Sequence, residues 1–325
     1  MTMSLLAIRD LAVSFDTAAG RIKALSGVSF TLQRGEVLAL LGESGSGKSV
    51  TASAIMDLVP NPPGAIDGGS ITFDGTNLLD LPRNDRRAIC GTRIALIFQD
   101  ALASLNPVYP IGWQIGEMFR IHTSLPKGEI EGKVIALLEA VGIPDAARRA
   151  RQYPHEFSGG MRQRIMIAMA VALEPDIIIA DEPTTALDVT IQAQIVDLLD
   201  TIRKRSGAGM IFITHDLGVV AELADRVAVM YAGRIVEQAS VYQLFADPQH
   251  PYSMGLLASQ PRIDVATSEL VPIPGSAPNP ANLPSGCSFR TRCPRAQAVC
   301  AEIRPVLADA GPGRLVACHF PGSSA

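Results

Sequence analysis

Apolar residues recur with two different periodicities along this chain, one typical of strands and one of helices, and together they predict an α/β protein. Residues 5–15 and 28–32 alternate loosely and contain β-branched side chains, which is typical of antiparallel strands. Residues 37–41 form a continuous apolar run, typical of a buried central strand. Further buried strands are predicted at residues 177–180 and 210–214.

Helical spacing of apolar residues appears between these strands. It predicts helices over residues 48–58, 114–122, 129–141, 159–173 and 189–205. The last helix has the clearest ending, because three cations at 203–205 precede Gly207. Cations suit the negative end of a helix dipole, and glycine suits the C-cap.

Changes in composition and periodicity along the sequence predict three segments. Residues 1–246 are α/β in pattern, with a helical insert at about 100–157. Residues 247–284 are interpreted as a connector, because they contain many prolines and show no periodicity. Residues 285–325 form a small cysteine-containing region.

Composition favours a folded globular protein, with 47% hydrophobic and 18% charged residues among 325. The net charge of −4 offers no general attraction to nucleic acid, so no nucleic-acid partner is predicted. The longest strictly apolar run, residues 165–173, is about half of the ~20 residues that a spanning helix needs. The first ten residues lack the pattern of an export signal. We therefore expect a cytosolic protein whose five cysteines are reduced thiols or metal ligands.

A glycine-rich loop stands between a predicted buried strand and a predicted helix. It matches the pattern G-x-x-x-x-G-K-[ST] through Gly42, Glu43, Ser44, Gly45, Ser46, Gly47, Lys48 and Ser49. Its glycines let backbone N–H groups converge on phosphates at a helix N-terminus. Lys48 is expected to reach the β- and γ-phosphates and Ser49 to coordinate Mg²⁺. The alternative, a simple glycine turn, does not account for the Lys-Ser pair. ATP and Mg²⁺ are therefore the expected ligands.

Two acids, Asp181 and Glu182, follow the apolar run at 177–180. Ligands of such sheets bind at the carboxyl ends of the strands. Asp181 is expected to hold Mg²⁺, and Glu182 to polarise the attacking water as general base.

Ser158, Gly159 and Gly160 open another predicted helix and provide a second set of free N–H groups suited to an anion. Residues 157–164 resemble the signature sequence of ATP-binding cassette (ABC) proteins, usually Leu-Ser-Gly-Gly-Gln. Phe157 and Met161 depart from it. In that family the motif contacts the γ-phosphate held by the opposite subunit.

Other positions resemble further motifs of the same family. Gln99 is similar to the Q-loop glutamine that connects Mg²⁺ and water to the helical insert, and His215 to the switch histidine. Asp188, in Ala186-Leu187-Asp188, resembles the D-loop, and Phe15 the aromatic residue that stacks on adenine. A GTPase or kinase with the same phosphate loop would lack the elements at 158–160 and His215.

The resemblance covers about residues 8–245 and implies a fold class. It is the P-loop NTPase ABC cassette, with a RecA-like core, an antiparallel β subdomain and a helical insert. A small cysteine-containing C-terminal domain follows it.

Finer resemblance, at residues 104–107, 157–164 and 181–190 and in the tail, is to the ATPase subunits of bacterial di- and oligopeptide importers. It implies a second ATPase subunit in a heterodimer, two integral membrane permeases and an extracytoplasmic solute-binding protein. The implied location is peripheral, on the cytoplasmic face of the bacterial inner membrane. Alternatives are import of nickel, glutathione or another small solute, and a soluble ABC ATPase that remodels nucleic-acid complexes.

Four cysteines lie in the tail, namely Cys287, Cys293, Cys300 and Cys318. Four thiolates could bind zinc or ligate an iron–sulfur cluster. None of the gaps between them has the two-to-four spacing usual for zinc. The resemblance implies a [4Fe–4S] cluster, and zinc or unligated cysteines remain alternatives.

Overall fold

The computed structural model describes residues 4–18, 20–185, 187–259 and 272–322. Its strands, in chain order, are β1 (Leu6–Thr17), β2 (Gly20–Leu32), β3 (Val37–Leu41), β4 (Gly64–Phe73), β5 (Thr76–Asn77), β6 (Ile94–Ile97), β7 (Ile177–Asp181), β8 (Gly209–Thr214), β9 (Arg226–Tyr231), β10 (Arg234–Ser240), β11 (Ala308–Asp309) and β12 (Leu315–Val316).

Helices occur in every third of the chain. They are α1 (Lys48–Ile55), α2 (Arg83–Ile89), α3 (Ala101–Ser104), α4 (Ile111–His122), α5 (Lys127–Ala140), α6 (Ala146–Arg149), α7 (Gly159–Val171), α8 (Val189–Ser206), α9 (Leu217–Leu223), α10 (Val241–Ala246), α11 (Pro251–Ala258) and α12 (Ala298–Glu302). No helix within the described ranges is long and apolar enough to cross a membrane.

The chain divides into two compact units, and β8 begins in the second unit and ends in the first. The first unit takes the described residues up to Asp80 and from Ile213 onward. In it, an antiparallel sheet has the strand order β2-β1-β4-β5. Leu6 faces Leu32 on one side and Phe73 on the other, and all three side chains are buried. This is the antiparallel β portion expected from the alternating pattern near the N-terminus.

A second set of strands in the first unit carries the glycine-rich loop. β3 is parallel to β9, and β9, β10, β12 and β11 follow in antiparallel pairs. All five residues of β3 are buried, as the continuous apolar run predicts. The tail of the chain thus contributes strands to this sheet, through the pairing of Glu237 with Val316.

An aromatic cluster lies beside these strands in the first unit. The rings of Tyr231 and Tyr252 have centroids 4.6 Å apart, and Phe289 lies 5.2 Å from Tyr231 and 5.4 Å from Tyr252. Cys287 and Cys293 pack against the same hydrophobic core. Residues from the cysteine-containing tail are therefore part of the core of this unit.

The second unit, Leu81–Phe212, contains the helical insert. β6 and β7 pair in parallel, with Ile94 opposite Ile177. α4 and α5 pack on each other and both contact α7, so that Ile115, Leu138 and Ile165 are fully buried. The helices of this unit come from residues 83–206. The limits of the insert, about 100–157, stay a prediction.

Several element bounds differ from the sequence-based expectations for physical reasons. α1 ends at Ile55 instead of about residue 58, because Asp57 adopts a left-handed conformation with φ of 59°. α11 falls inside the expected connector. Its Pro251 occupies the first helical turn, where proline is tolerated, so the prolines of this segment do not prevent a helix there. Residues 260–271 of that segment lie outside the described residues. The three predicted domain limits stay a prediction.

Candidate active site

The glycine-rich loop connects β3 to α1, as its sequence predicts. A Cβ atom at Gly42 would lie 2.3 Å from the Met230 carbonyl oxygen, and one at Gly47 would lie 2.7 Å from Leu25 Cδ2. Gly45 and Gly47 also adopt positive φ angles of 77° and 106°. These positions require glycine because the neighbouring backbone approaches closely or turns left-handed.

Lys48 begins α1 and its side chain is only 5% exposed. Its ammonium group folds back over the loop, where Nζ donates to the carbonyl oxygens of Gly42 at 2.7 Å and Glu43 at 3.0 Å. The N-cap of α1 is Gly47, which offers no side-chain acceptor to the first N–H groups of the helix. A buried ammonium beside the N-terminus of an eight-residue helix is a chemical setting for phosphate groups.

The second unit brings Gln99 to Glu182. β7 ends at Asp181, and Glu182 follows with a left-handed φ of 47°. The Gln99 Nε2 group donates to Glu182 Oε2 at 3.1 Å, and the Thr185 hydroxyl donates to the same oxygen at 3.0 Å. Two donors therefore hold this carboxylate in one orientation. Thr185 was not singled out from the sequence, because its role depends on the turn after β7.

Ser158 and Gly160 occupy the start of α7. Ser158 is the N-cap, and its hydroxyl accepts from the Met161 N–H at 3.4 Å. A Cβ atom at Gly160 would lie 2.8 Å from Ile191 Cγ2, whereas one at Gly159 would meet nothing nearer than 3.9 Å. Gly160 is thus needed for the close approach of α8, and Ser158 and Gly159 remain exposed.

Three further predicted positions have local structural settings. The Asp188 carboxylate caps α8 by accepting from the Ile191 N–H at 2.9 Å, and Ala186 lies outside the described residues. Phe15 lies in β1 and is half-buried, directly opposite Gly64. His215 follows the end of β8 and is exposed. None of these settings tests the predicted ligand roles.

The four tail cysteines line one cavity in the first unit. Cys287 and Cys300 are also joined through the backbone, because the Cys287 N–H donates to the Cys300 carbonyl oxygen at 2.8 Å. Burial is the main cause that raises the pKa of the Cys287, Cys293 and Cys318 thiols, and charges on neighbouring thiols add to it. Within the described ranges, however, no group of three or more His, Cys, Asp or Glu residues is arranged to hold a metal ion.

Arg292 is a residue of this region that the sequence did not reveal. It forms an ion pair with Glu43 of the glycine-rich loop, across 249 positions of the sequence. An arginine in an irregular segment gives no signal by which a partner so distant along the chain could be recognised.

Two family models match the chain. One, described as ABC transporter, matches residues 25–185. The other, described as the C-terminal region of oligopeptide/dipeptide transporters, matches residues 236–300.

Curated relatives match almost the whole chain. The oligopeptide transport ATP-binding protein OppD of Bacillus subtilis is 51% identical, over 93% of this chain and 84% of its own length. The dipeptide transport ATP-binding protein DppD of the same organism is 50% identical, over 92% and 90%. OppD of Salmonella typhimurium is 48% identical, over 98% and 94%.

Solved structures confirm the predicted fold class. The ATP-binding cassette MJ0796, in a dimeric post-hydrolysis state bound to ADP and Pi, matches with a TM-score of 0.65 and 25% identity, over 73% of this chain and 98% of its own. The protein cbiO1 from Clostridium perfringens, part of the ABC transporter complex cbiONQ, matches with a TM-score of 0.64 and 28% identity, over 75% and 92%.

Proposed function

The chain belongs to the ABC transporter family, and we propose that it is the ATP-hydrolysing subunit of an importer of di- and oligopeptides. The observation that carries the proposal is the extent of the similarity. Peptide-transport ATP-binding proteins match at 48–51% identity over 92–98% of the chain, and the C-terminal family model extends the match beyond the cassette. Family membership makes the chain an ABC-type ATPase, which uses ATP and usually Mg²⁺.

In the first unit, we assign phosphate binding to the loop from Gly42 to Ser49. Support comes from the buried Lys48 ammonium and from its position at the N-terminus of α1, where the N-cap Gly47 has no side-chain acceptor. Phe15 is the proposed adenine-stacking residue, and His215 is assigned to the γ-phosphate. Ser49 is the proposed Mg²⁺ ligand of this unit, since a hydroxyl oxygen is a donor that this ion accepts.

In the second unit, we assign the activation of water to Glu182. Its carboxylate can take a proton from water as the water oxygen bonds to the γ-phosphorus and the bond between that phosphorus and the β-phosphate oxygen breaks, so that ADP is the leaving group. The hydrogen bonds from Gln99 and Thr185 support this role because they hold the Glu182 carboxylate in a defined orientation. Asp181 and Gln99 supply the oxygen donors for Mg²⁺, which withdraws charge from the phosphates when bound.

We assign Ser158, Gly159, Gly160 and Asp188 to nucleotide contacts made across a subunit interface. Ser158 and Gly159 are exposed at the N-terminus of α7, and Val189, beside Asp188, is an exposed apolar residue. Such a surface suits a second cassette that completes the site. We propose that this second cassette is a different chain, so that the two form a heterodimer. The composition of the purified complex tests this.

The helical insert is the proposed contact with the two permeases. Exposed large apolar side chains gather at its start, at Leu102, Val108, Tyr109, Trp113 and Ile121. Tyr109 stacks on Trp113 with centroids 4.3 Å apart, and the buried Gln114 side chain donates to the Tyr109 carbonyl oxygen at 2.8 Å. Exposed apolar side chains of this kind are typical of a protein-binding site. This docking would hold the chain at the cytoplasmic face of the bacterial inner membrane, where an extracytoplasmic solute-binding protein delivers peptide to the permeases.

A [4Fe–4S] cluster is proposed separately from the ATPase function. Four thiols facing one cavity are the donor set that such clusters use. The described residues are not arranged as a metal site, so the cluster is tested by chemical analysis of the purified protein. Iron and acid-labile sulfide in anaerobically purified wild type, lost in Cys300→Ser, would support the cluster. Colourless protein without iron or zinc would overturn both metal interpretations.

The proposed function is tested by co-expressing the chain with two permeases, a solute-binding protein and a second cassette from the same genome. The purified complex is reconstituted in proteoliposomes with ATP, and uptake of labelled di- and oligopeptides is measured. ATP-dependent peptide uptake that is lost in Glu182→Gln supports the proposal. ATP-dependent uptake of nickel or glutathione in place of peptides would overturn the assigned substrate, and co-purification with ribosomes or DNA without permeases would overturn the transport function.

A further inference from the structure

Glu43, the second residue of the phosphate loop, is held at all three of its polar groups. Its backbone N–H donates to the Tyr252 hydroxyl at 2.8 Å, and its carbonyl oxygen accepts from Lys48 Nζ at 3.0 Å. Its carboxylate accepts two hydrogen bonds from Arg292, at 2.6 Å from Nη1 and 3.0 Å from Nη2. A fork of this kind fixes both the position and the orientation of a carboxylate.

Arg292 is anchored as firmly as its partner. Its side chain is 4% exposed, against 31% for Glu43, so the ion pair is shielded from water mainly on the arginine side. Nε donates to the Pro274 carbonyl oxygen at 3.0 Å, and the guanidinium carbon lies 5.9 Å from the ring centroids of both Tyr231 and Phe289. Hydrogen bonding to Glu43 is the main cause that raises the pKa of Arg292 further above its usual value. The guanidinium is therefore a fixed, permanent charge.

The anchors of the loop come from the C-terminal part of the chain. Tyr252 lies in α11, and Phe289 and Arg292 lie in the cysteine-containing tail, with Cys293 next in sequence. Tyr252 and Phe289 belong to the aromatic cluster, against which Cys293 packs. The tail is thus bound directly to the loop by a charged pair and by a packed core.

An acid in a phosphate-binding loop is unfavourable for an anionic ligand unless its charge is compensated. ATP brings several negative charges to the loop, and like charges at short range weaken binding. The Arg292 guanidinium neutralises Glu43 and holds its carboxylate in a fixed orientation.

We propose that Arg292 is a positioning residue for nucleotide binding, and that the C-terminal tail sets the affinity of the phosphate loop for ATP through the Arg292–Glu43 pair. The inference rests on the proposed phosphate-binding role of the loop. Arg292 touches the loop and acts on nucleotide through Glu43. Removing the guanidinium therefore affects binding of ATP by leaving the Glu43 charge uncompensated and the loop less restrained.

The test uses Arg292→Met, Arg292→Lys, Glu43→Gln and the double variant Glu43→Gln/Arg292→Met in the full chain. MgATP and MgADP affinities are measured by titration, and KM and kcat for ATP hydrolysis are measured in the assembled complex. We expect Arg292→Met to bind MgATP about tenfold more weakly, as for the loss of a charged hydrogen-bonded pair, with MgADP less affected because it carries less charge. KM should rise more than kcat falls.

The double variant separates charge compensation from general damage to the fold. Restoring MgATP affinity to about the level of Glu43→Gln supports the proposal, because removal of the acid makes the guanidinium unnecessary. Arg292→Lys keeps the charge without the fork, and an intermediate affinity supports the same conclusion. If Arg292→Met does not fold, Arg292→Lys and the double variant still decide the question.

Two results would overturn the inference and leave the proposed function intact. These are wild-type affinity in Arg292→Met, and a loss in Arg292→Met that Glu43→Gln does not relieve. Wild-type protein that bound neither MgATP nor MgADP would instead overturn the proposed function, and the inference with it.

Discussion

Gln99 and Glu182 are joined by a hydrogen bond of 3.1 Å in which the amide donates to the carboxylate. The two residues are 83 positions apart in the sequence. In the Glu182→Gln variant the side-chain carbonyl can still accept from Gln99 and Thr185, so the geometry is kept while the basic oxygen is lost.

We therefore expect Glu182→Gln to retain ATP binding and to lose hydrolysis by about 10²–10⁴-fold, the range for removal of a general base. The measurement is phosphate release under saturating MgATP, with size-exclusion chromatography to detect an ATP-bound dimer. Thr185→Val is the matched control and should lose less, because it removes one positioning bond and keeps the carboxylate and the bond from Gln99. Hydrolysis at the wild-type rate in Glu182→Gln would show that the base lies elsewhere.

Lys48→Ala should abolish nucleotide binding. The buried ammonium is the cation of the phosphate loop, and it also ties the Gly42 and Glu43 carbonyl oxygens together. Titration with a fluorescent ATP analogue measures the effect. Lys23→Ala, which removes an exposed lysine of β2 in the same unit, serves as the control and should bind normally. Equal affinity in both variants would contradict the assignment of the loop.

Gly159→Ala and Gly160→Ala should change the free energy of unfolding differently although the two glycines are adjacent. At Gly160 the added Cβ meets Ile191 Cγ2 at 2.8 Å, and forcing α7 and α8 apart should cost about 1–3 kcal/mol. At Gly159 the nearest atom is 3.9 Å away, and alanine in place of a helical glycine should be neutral or stabilising by up to about 1 kcal/mol. Thermal and urea unfolding measure both, and equal shifts would argue against the helix contact.

Trp113→Ser should weaken assembly with the membrane subunits without changing nucleotide binding. Trp113 is 41% exposed and is stacked by Tyr109 on one surface of the insert. Tyr242→Ser is the matched control, because Tyr242 is an 84% exposed aromatic residue of the other unit. Co-purification of tagged permeases gives the measurement. Equal recovery of permeases with both variants would place the docking surface elsewhere.

His250 should contribute a pH-dependent part of the stability. Burial lowers the pKa of His250 to about 3, and its Nδ1 accepts from the Tyr252 N–H at 3.0 Å, which caps α11. Since the unfolded chain takes up a proton near pH 6.5 and the folded chain does not, stability falls as the pH drops from 6.5 towards 3, by about 1.4 kcal/mol per unit. Above pH 6.5 the contribution of His250 to the free energy of unfolding does not change with pH. His250→Asn keeps a capping oxygen and removes the titration, so its unfolding free energy should fall less steeply in acid. Parallel slopes for the two proteins would contradict this account.

The sequence predicted the fold and the glycine-rich loop between β3 and α1 because both depend on local patterns. Loop glycines, a buried strand and a following helix are all readable from residues 37–55. For Glu182, the sequence predicted the position in the fold but not the hydrogen-bond partner. Its position at the end of β7 follows from the apolar run, but the bond from Gln99 depends on the parallel pairing of β6 with β7.

The tail was the least predictable part of the chain. The prolines of the preceding connector obscured the helix at Pro251–Ala258, and the two-residue strands of the tail are too short to show any alternation. The contact between Arg292 and Glu43 depends on the folding back of the tail, for which no periodic pattern exists. Cysteine spacing alone likewise left ligated and unligated alternatives open, and the described side chains share a cavity without forming a metal site.

The pairing of β12 with β10 also bears on how the protein is synthesised. Residues 315 and 316 leave the ribosome about 80 residues after the strand whose hydrogen-bonding edge they cover, with Glu237 opposite Val316. Until they arrive, the nascent cassette presents an unpaired strand edge of the kind that recruits other chains into aggregates. Premature termination before residue 315 should therefore yield insoluble protein even when every proposed nucleotide-binding residue has been translated.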